Sequence, residues 1–543
     1  MRSVQELSSA LGLGPDDVTP AGRSVGKVAV SSVRERIGRG RRGKLILVTG
    51  MTPTRRGEGK TVTTIGLADG LARRGRASVA CLRQPSLGPV FGIKGGATGG
   101  GRATVEPSDE INFGFTGDIH AVAASHNLLA ALADNHLYHG NPLGLDPARL
   151  LWNRSMDMED RALRHITVGD GVPRQPPHPS SFAITAASEV MAILALARDY
   201  ADLKRRLERV LVGYATDGRP IRAGDLGAAG AMGALLRHAL EPNLVQTAEG
   251  TPALVHAGPF GNLAHGTCSR LAIELGLATS DYAVVEAGFA TELGAEKFVD
   301  IVTPAIGVDV DAAVLVVTQR GLRAQGGADD ATSASPAPAA LARGLENLDQ
   351  HLANLRSLGL AATVALNRFP GDSAEEAAVV REHCRPLEVD VVESRGFEEG
   401  AAGCEELARA VERAASLGRH SRPLYPAGTP LRRQVEVVAT QLYGADGADE
   451  TPEAAGQRGQ LEQIGEATGP VCLAKTPLSL SDDPRRLGRP RGYRVTVRRY
   501  ARSAGAGFTV AYLGAIETMP GLPSRPASDG IDLLPDGTVT GVR

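Results

Sequence analysis

Gly59, Lys60 and Thr61 lie in the stretch TRRGEGKTVTT, Thr54 to Thr64, and fit the close of a phosphate-binding loop of the form G-x-x-x-x-G-K-S/T. Thr54 stands where the first glycine of that pattern belongs, a tolerable change because that glycine's task is conformational. The chemistry is anion binding. Gly57 and Gly59 let backbone N–H groups approach phosphate oxygens, a following helix turns its positive pole toward them, Lys60 adds a point charge, and Thr61 offers a hydroxyl to Mg²⁺. The candidate ATP-binding set is Thr54, Gly57, Glu58, Gly59, Lys60 and Thr61. The plainer alternative is a Gly-rich turn with a surface lysine.

Arg83 ends the run RASVACLR, and at a strand terminus its guanidinium can grip phosphate or carboxylate bidentately, or simply face water. The glycines of GIKGGATGGG, Gly92 to Gly101, read as a backbone lining for anions or as an ordinary flexible loop. His120, His126, His136 and His139 crowd one segment with Asp118 and Asp134. His136 and His139 could share a helical face and mimic a transition-metal site; structural roles are the alternative.

These residues need particular elements to position them. KLILVTG precedes the phosphate loop as a strand, and TVTTIGLADGLARRG follows it with Ile65, Ala68, Leu71 and Ala72 at helical spacing. Similar apolar runs (PALVHAG, DYAVVEAG, AAVLVVT, AATVALN, VDVVES) alternate with helical patterns. The expectation is an α/β fold: a P-loop nucleotide-binding domain with a mainly parallel sheet, plus two smaller α/β or α+β domains, ligands lying at the carboxyl ends of the strands. At 543 residues the chain exceeds what one core serves, and the expected divisions are 1–360, 361–455 and 456–543. From Arg323, RAQGGADDATSASPAPAALARG reads as a mobile surface loop, and YRVTVRRYARSAGAGFTVAYLG as paired strands of a C-terminal domain.

A net charge of −2, with 22 % charged residues, provides no basic excess for a nucleic acid or an anionic membrane. Small molecules are the expected partners. The cysteines (Cys81, Cys268, Cys384, Cys404, Cys472) are scattered without a C-x-x-C, which argues for a reducing cytosol. With no apolar leader and no apolar run of about 18 residues, a cytoplasmic protein is expected.

TPTRRGEGKTVTT is followed by LRQPSLGPVFGIKGGATGGG, FTGDIHA, LADNHLYHGN, WNRSMDMEDRALRHI, GPFGNLAHG, EAGFATELGAEKF, ALNRFPGD and LAKTPLSLSDDPRRLGRPRGY. In this order, from about residue 40 to the end, the blocks resemble formate–tetrahydrofolate ligase (10-formyltetrahydrofolate synthetase). T-P-x-x-x-G-E-G-K-T is that family's own form of the loop. The resemblance implies a homotetrameric ligase of one-carbon metabolism in which ATP converts formate to formyl phosphate and the N10 amine of tetrahydrofolate attacks it, giving ADP, phosphate and 10-formyltetrahydrofolate. Lys60, Arg83 and residue 84 would be catalytic, with Arg83 at the place of the formyl-phosphate arginine. Folate would stack on Phe369 and Pro370 and on Phe397, which stands where the family carries Trp. Thr61 would take Mg²⁺, and Asp118 would lie near a monovalent cation, K⁺ or NH₄⁺.

Departures from the pattern gather near the chemistry. Gln84 replaces the glutamate of R-E-P-S, keeping shape and removing charge. Cys268, Glu292, the DIVTP stretch, Gln325 and Ala515 are others. They keep two rivals open: a relative that binds nucleotide or folate but has lost formate activation or uses another small carboxylate, and a P-loop switch ATPase.

Overall fold

The computed structural model describes residues 1–54, 57–94, 96–329 and 335–542. The path through its main sheet runs over β1 (Val18–Pro20), β2 (Gly26–Val28), β3 (Lys44–Gly50), β4 (Ser78–Leu82), β5 (Asn243–Thr247), β6 (Pro252–Val255), β7 (Tyr282–Glu286), β8 (Ala312–Val317), β9 (Ala362–Asn367) and β10 (Val391–Ser394), and a short hairpin, Gly99–Gly100 with Ala103–Glu106, joins it at β5. The spatial order of the ten is β1-β2-β5-β6-β4-β7-β3-β8-β9-β10. From β6 to β10 every pairing is parallel; the pairings from β1 to β6 are antiparallel.

The near-continuous apolar text of the central strands follows from burial on both faces. Successive residues feed two cores: Leu45 and Leu47 of β3 join one, Ile46 and Val48 the other. The second core is roofed by α1 (Lys60–Arg73), through Ile65, Leu67, Ala68 and Leu71, and by α2 (Glu405–Ser416), through Leu407, Ala408 and Val411. On the other face lies the helix Arg270–Thr279.

One expected division separates paired strands and the other falls inside a helix. β9 and β10 extend the main sheet, so a cut after residue 360 separates hydrogen-bonded neighbours β8 and β9. A cut after 455 falls within the helix Pro452–Gln463. A smaller α+β unit has its own core, running from Tyr425 to Leu513. A change of texture in the text cannot reveal a strand's distant partner. The stretch expected from Arg323 to be a mobile loop opens instead in a helix: Arg323 and Gln325 are buried in Gln319–Gln325, where Arg323 pairs with Glu376 and Gln325 Oε1 accepts the Gly488 N–H at 3.0 Å. Residues 330–334 of that stretch lie outside the described residues.

All five cysteines are buried and free. Among the described residues no helix is long and apolar enough to cross a membrane.

Candidate active site

β4, β7 and β3 are adjacent, so the loops leaving their carboxyl ends meet. The loop after β3 is the phosphate loop. Gly59 caps α1 with φ +76°, and a side chain there would also strike Asn367, whose Nδ2 lies 2.3 Å from where its Cβ would be. Gly57 shares φ +76° but meets nothing within 4 Å among the described residues. Gly59→Ala is therefore expected to cost more than the about 1–2 kcal/mol of a left-handed non-glycine residue, and Gly57→Ala only that amount. Denaturant melts of the two variants measure the difference, which isolates the Asn367 contact.

Glu58 is engaged within the protein. Its Oε1 accepts the Thr54 N–H at 2.6 Å and its Oε2 takes the Thr318 hydroxyl, so it staples the loop to the end of β8. Thr54 meets Glu58 through its backbone, its own hydroxyl buried without a partner among the described residues. Arg55 and Arg56 lie outside them. Lys60 folds back over Gly50, its Cδ 3.3 Å from where a Cβ would lie. Burial pulls its ammonium below the usual lysine range, opposed by Glu286 and Glu58 and reinforced by Arg83.

Glu286, the last residue of β7, joins the parts. Its Oε2 accepts the Thr61 hydroxyl at 2.8 Å, and its Oε1 lies 3.7 Å from Arg83 Nη2. Arg83 leaves the end of β4, its Nη1 3.5 Å from Pro259 O. Lys94 is an exposed residue, yet the protein packed around its ammonium, then repulsion from Arg83, brings it down to about 8 against the pull of Glu286. Lys60, Arg83 and Lys94 all feel the Glu286 carboxylate, a gathering of cations suited to a polyanion. If Lys94 holds part of that anion, KM for ATP should rise roughly tenfold between pH 7 and 9.5, the size of one charge-assisted hydrogen bond, because the ammonium deprotonates as pH passes about 8. Lys94→Arg, charged throughout, should flatten the profile.

Sequence reasoning missed both Lys94 and Glu286. The signal for Glu286 was the lone acid ending the apolar run DYAVVEAG; for Lys94 it was the single cation in a glycine-rich stretch.

Gln84 is 2 % exposed, its backbone N–H bonded to Ala257 O at 2.7 Å and both amide atoms without a partner among the described residues. Asp157 accepts from Ser86 Oγ at 2.5 Å and Leu87 N–H at 3.0 Å, and Glu159 lies under Gly92, where any side chain would strike its carboxylate. The two acids buttress the loop that carries Lys94.

The expected stacking residues flank the first turn of α1. The Phe369 ring reaches within 4.0 Å of where a Gly59 Cβ would lie, and the Arg320 guanidinium sits 4.7 Å above it. Pro370 is exposed beside it. Phe397, 52 % exposed, packs its ring on Gly100, next to Val62, while its carbonyl accepts the Arg102 N–H at 2.8 Å. The glycine stretch is thus pinned at Gly99–Arg102.

Asp118 is otherwise engaged. Lys27 Nζ lies 2.5 Å from its Oδ1 and Asn243 Nδ2 donates to its Oδ2 at 2.7 Å, so an ammonium already supplies the positive charge expected of a cation there. The histidines disperse into separate tasks. His126 stacks on Trp152 at 4.2 Å and bonds Ser188 Oγ at 2.8 Å, and His136 Nε2 accepts the Leu143 N–H at 3.1 Å. No group of three metal-ligating side chains occurs among the described residues. Two departures are built in rather than stray: Glu292 forms a buried ion pair with Lys475 at 3.1 Å, linking the large unit to the small one, and Cys268 is buried beside Cys81.

The family model described as formate--tetrahydrofolate ligase matches residues 1–543. Proteins of that name from Symbiobacterium thermophilum and Thermus thermophilus are each 48 % identical, over 100 % and 99 % of this chain and 98 % of their own lengths. One from Myxococcus xanthus is 47 % identical over 100 % of this chain and 99 % of its own. A phosphate loop, an arginine and a carboxylate converging at three strand ends, within a match that leaves no part of the chain uncovered, place this protein in the formate–tetrahydrofolate ligase family.

Proposed function

We propose that the protein joins formate to tetrahydrofolate at the expense of ATP, giving 10-formyltetrahydrofolate, ADP and phosphate through formyl phosphate. The observation that carries this reading is the convergence of Lys60, Thr61, Arg83 and Lys94 on Glu286 in a chain of this family. Formate alone would have to expel hydroxide, a poor leaving group. When a formate oxygen attacks the γ-phosphorus, a P–O bond forms and the bond to ADP breaks. When the N10 amine then attacks the formyl carbon, a C–N bond forms, the C–O bond breaks with phosphate leaving, and nitrogen gives up its proton.

Phosphoryl transfer asks for positioning and charge neutralisation more than covalent help. The loop N–H groups and Lys60 hold the triphosphate, and Arg83 grips the group in transfer and then the acyl phosphate, with Gln84 beside it. Thr61 and Glu286, oxygen donors already 2.8 Å apart, fit Mg²⁺ and would hold it, where it supplies neutralisation of the phosphates. Folate lies along Phe369, Pro370 and Phe397. No residue is carried forward as ligand to a monovalent cation, Asp118 being held by Lys27. By similarity to the family the protein is a cytoplasmic homotetramer, and light scattering during gel filtration should show four times the chain mass.

The deciding experiment follows ADP and formylated folate with Mg-ATP and tetrahydrofolate, with and without formate. Both products should require formate. Tight ATP or folate binding with neither product would replace the ligase by the binding-only relative that the neutral Gln84 brings to mind.

A further inference from the structure

His265 is fully buried, and neither ring nitrogen has a hydrogen-bond partner among the described residues. Buried polar groups are nearly always bonded, so an imidazole with two idle nitrogens needs a reason. Its place in the fold suggests one. The segment Ala257–Thr267 runs along the ends of β4 and β7. At one end Ala257 O accepts the Gln84 N–H at 2.7 Å and Pro259 O faces Arg83 Nη1 at 3.5 Å. At the other, Thr267 Oγ1 donates to Glu286 O at 2.8 Å and Gly266 O accepts the Gly288 N–H at 2.9 Å. His265 is held between these anchors, in the wall that spans Arg83 and Glu286.

The ring carries no charge at working pH. Burial, then the positive charges of Arg83 and Lys297, push it down to about 3. A neutral imidazole offers one N–H donor and one acceptor. The amide of Gln84, whose backbone is bonded to Ala257 at the start of the segment, is also buried and without a partner among the described residues, and it offers the same pair. The wall beside Arg83 thus holds uncharged hydrogen-bonding groups without a partner among the described residues.

We infer that His265 is a substrate-binding residue whose ring N–H holds one oxygen of the small carboxylate while Arg83 orients the other for attack on phosphorus. The inference rests on the ligase reading above. A neutral donor suits this task, because a second cation on the carboxylate would draw electron density from the nucleophilic oxygen, whereas an imidazole N–H fixes the plane of the molecule and leaves most of its charge in place.

His265→Phe keeps a ring and deletes both nitrogens. KM for formate should rise about tenfold or more, the discrimination that follows when a buried polar contact is lost, with KM for ATP within about twofold of wild type. His265→Gln, which restores a donor and an acceptor, should recover most of the loss. An unchanged KM for formate in both variants would overturn the proposal. So would parallel rises in both KM values with a lowered melting temperature, the mark of a structural histidine. If the phenylalanine variant fails to fold, the wild-type enzyme carries the test: in ¹⁵N-histidine-labelled protein the His265 ring signals, assigned with His265→Gln, should move when formate is added, and signals that stay in place would refute the contact. Wild-type enzyme without formate-dependent ADP release would refute the ligase reading itself, whereas active wild type with an unaffected His265→Phe would refute only the role of His265.

Discussion

Lys60→Ala is expected to abolish formate-dependent ADP release to within roughly 100- to 1000-fold below wild type, while leaving the fold intact. Lys60 stands in the first turn of α1 with its stem over Gly50, and its ammonium is depressed by burial rather than consumed by structure. Truncation removes a charge whose attraction strengthens as negative charge moves along the phosphates in the transition state, so kcat should fall at least as far as affinity for ATP. Relieving a buried ammonium also leaves no reason for instability, and a melting temperature at or above that of wild type is expected. A variant that melts early would show that Lys60 holds the loop together, and one that turns over normally would remove the phosphate loop from the proposed chemistry. Ordinary ATP affinity with lost turnover would place the charge wholly in the transition state.

Much of this was legible in the text because it is local. GEGKT packs glycine, lysine and hydroxyl into a few residues, the apolar runs mark strands, and Arg83 announces itself by ending one of them. What escaped depends on partners far along the chain. Glu286 became part of the site because β7 pairs with β3 in the register Tyr282 to Lys44, a fact absent from either segment alone. Glu58 lies in the middle of the motif yet serves the loop, since Thr318 is brought to it by the return of β8. Asp118 looked available until Lys27, from the antiparallel edge of the sheet, supplied an ammonium. His265 sits in the quoted block GPFGNLAHG, but no pattern in the text says that its nitrogens lack partners among the described residues. Residue type and spacing thus located the loop and the arginine, and the sheet order determined which carboxylate lies beside them.

That carboxylate allows a sharper test than the lysine, because Glu286→Gln should separate two roles that one oxygen pair performs together. In the free enzyme Glu286 accepts the Thr61 hydroxyl and draws on Arg83 and Lys60, so the glutamine leaves three cations less compensated. Free ATP, which carries its own charge, should then bind as well as in wild type or better. If Glu286 and Thr61 also hold Mg²⁺, the neutral amide should weaken that hold, since hard cations take carboxylate oxygens in preference to amides of the same shape. The expected result is a turnover reduced roughly 100-fold or more, a Mg²⁺ requirement moved to higher concentration, and undiminished binding of metal-free ATP by calorimetry. Loss of ATP binding without any shift in the Mg²⁺ requirement would make Glu286 a scaffold for Arg83 and Thr61 alone. Glu286→Asp sharpens the contrast: it keeps the charge but draws it back toward β7, so it should restore the electrostatic balance of the free site while recovering turnover only in part.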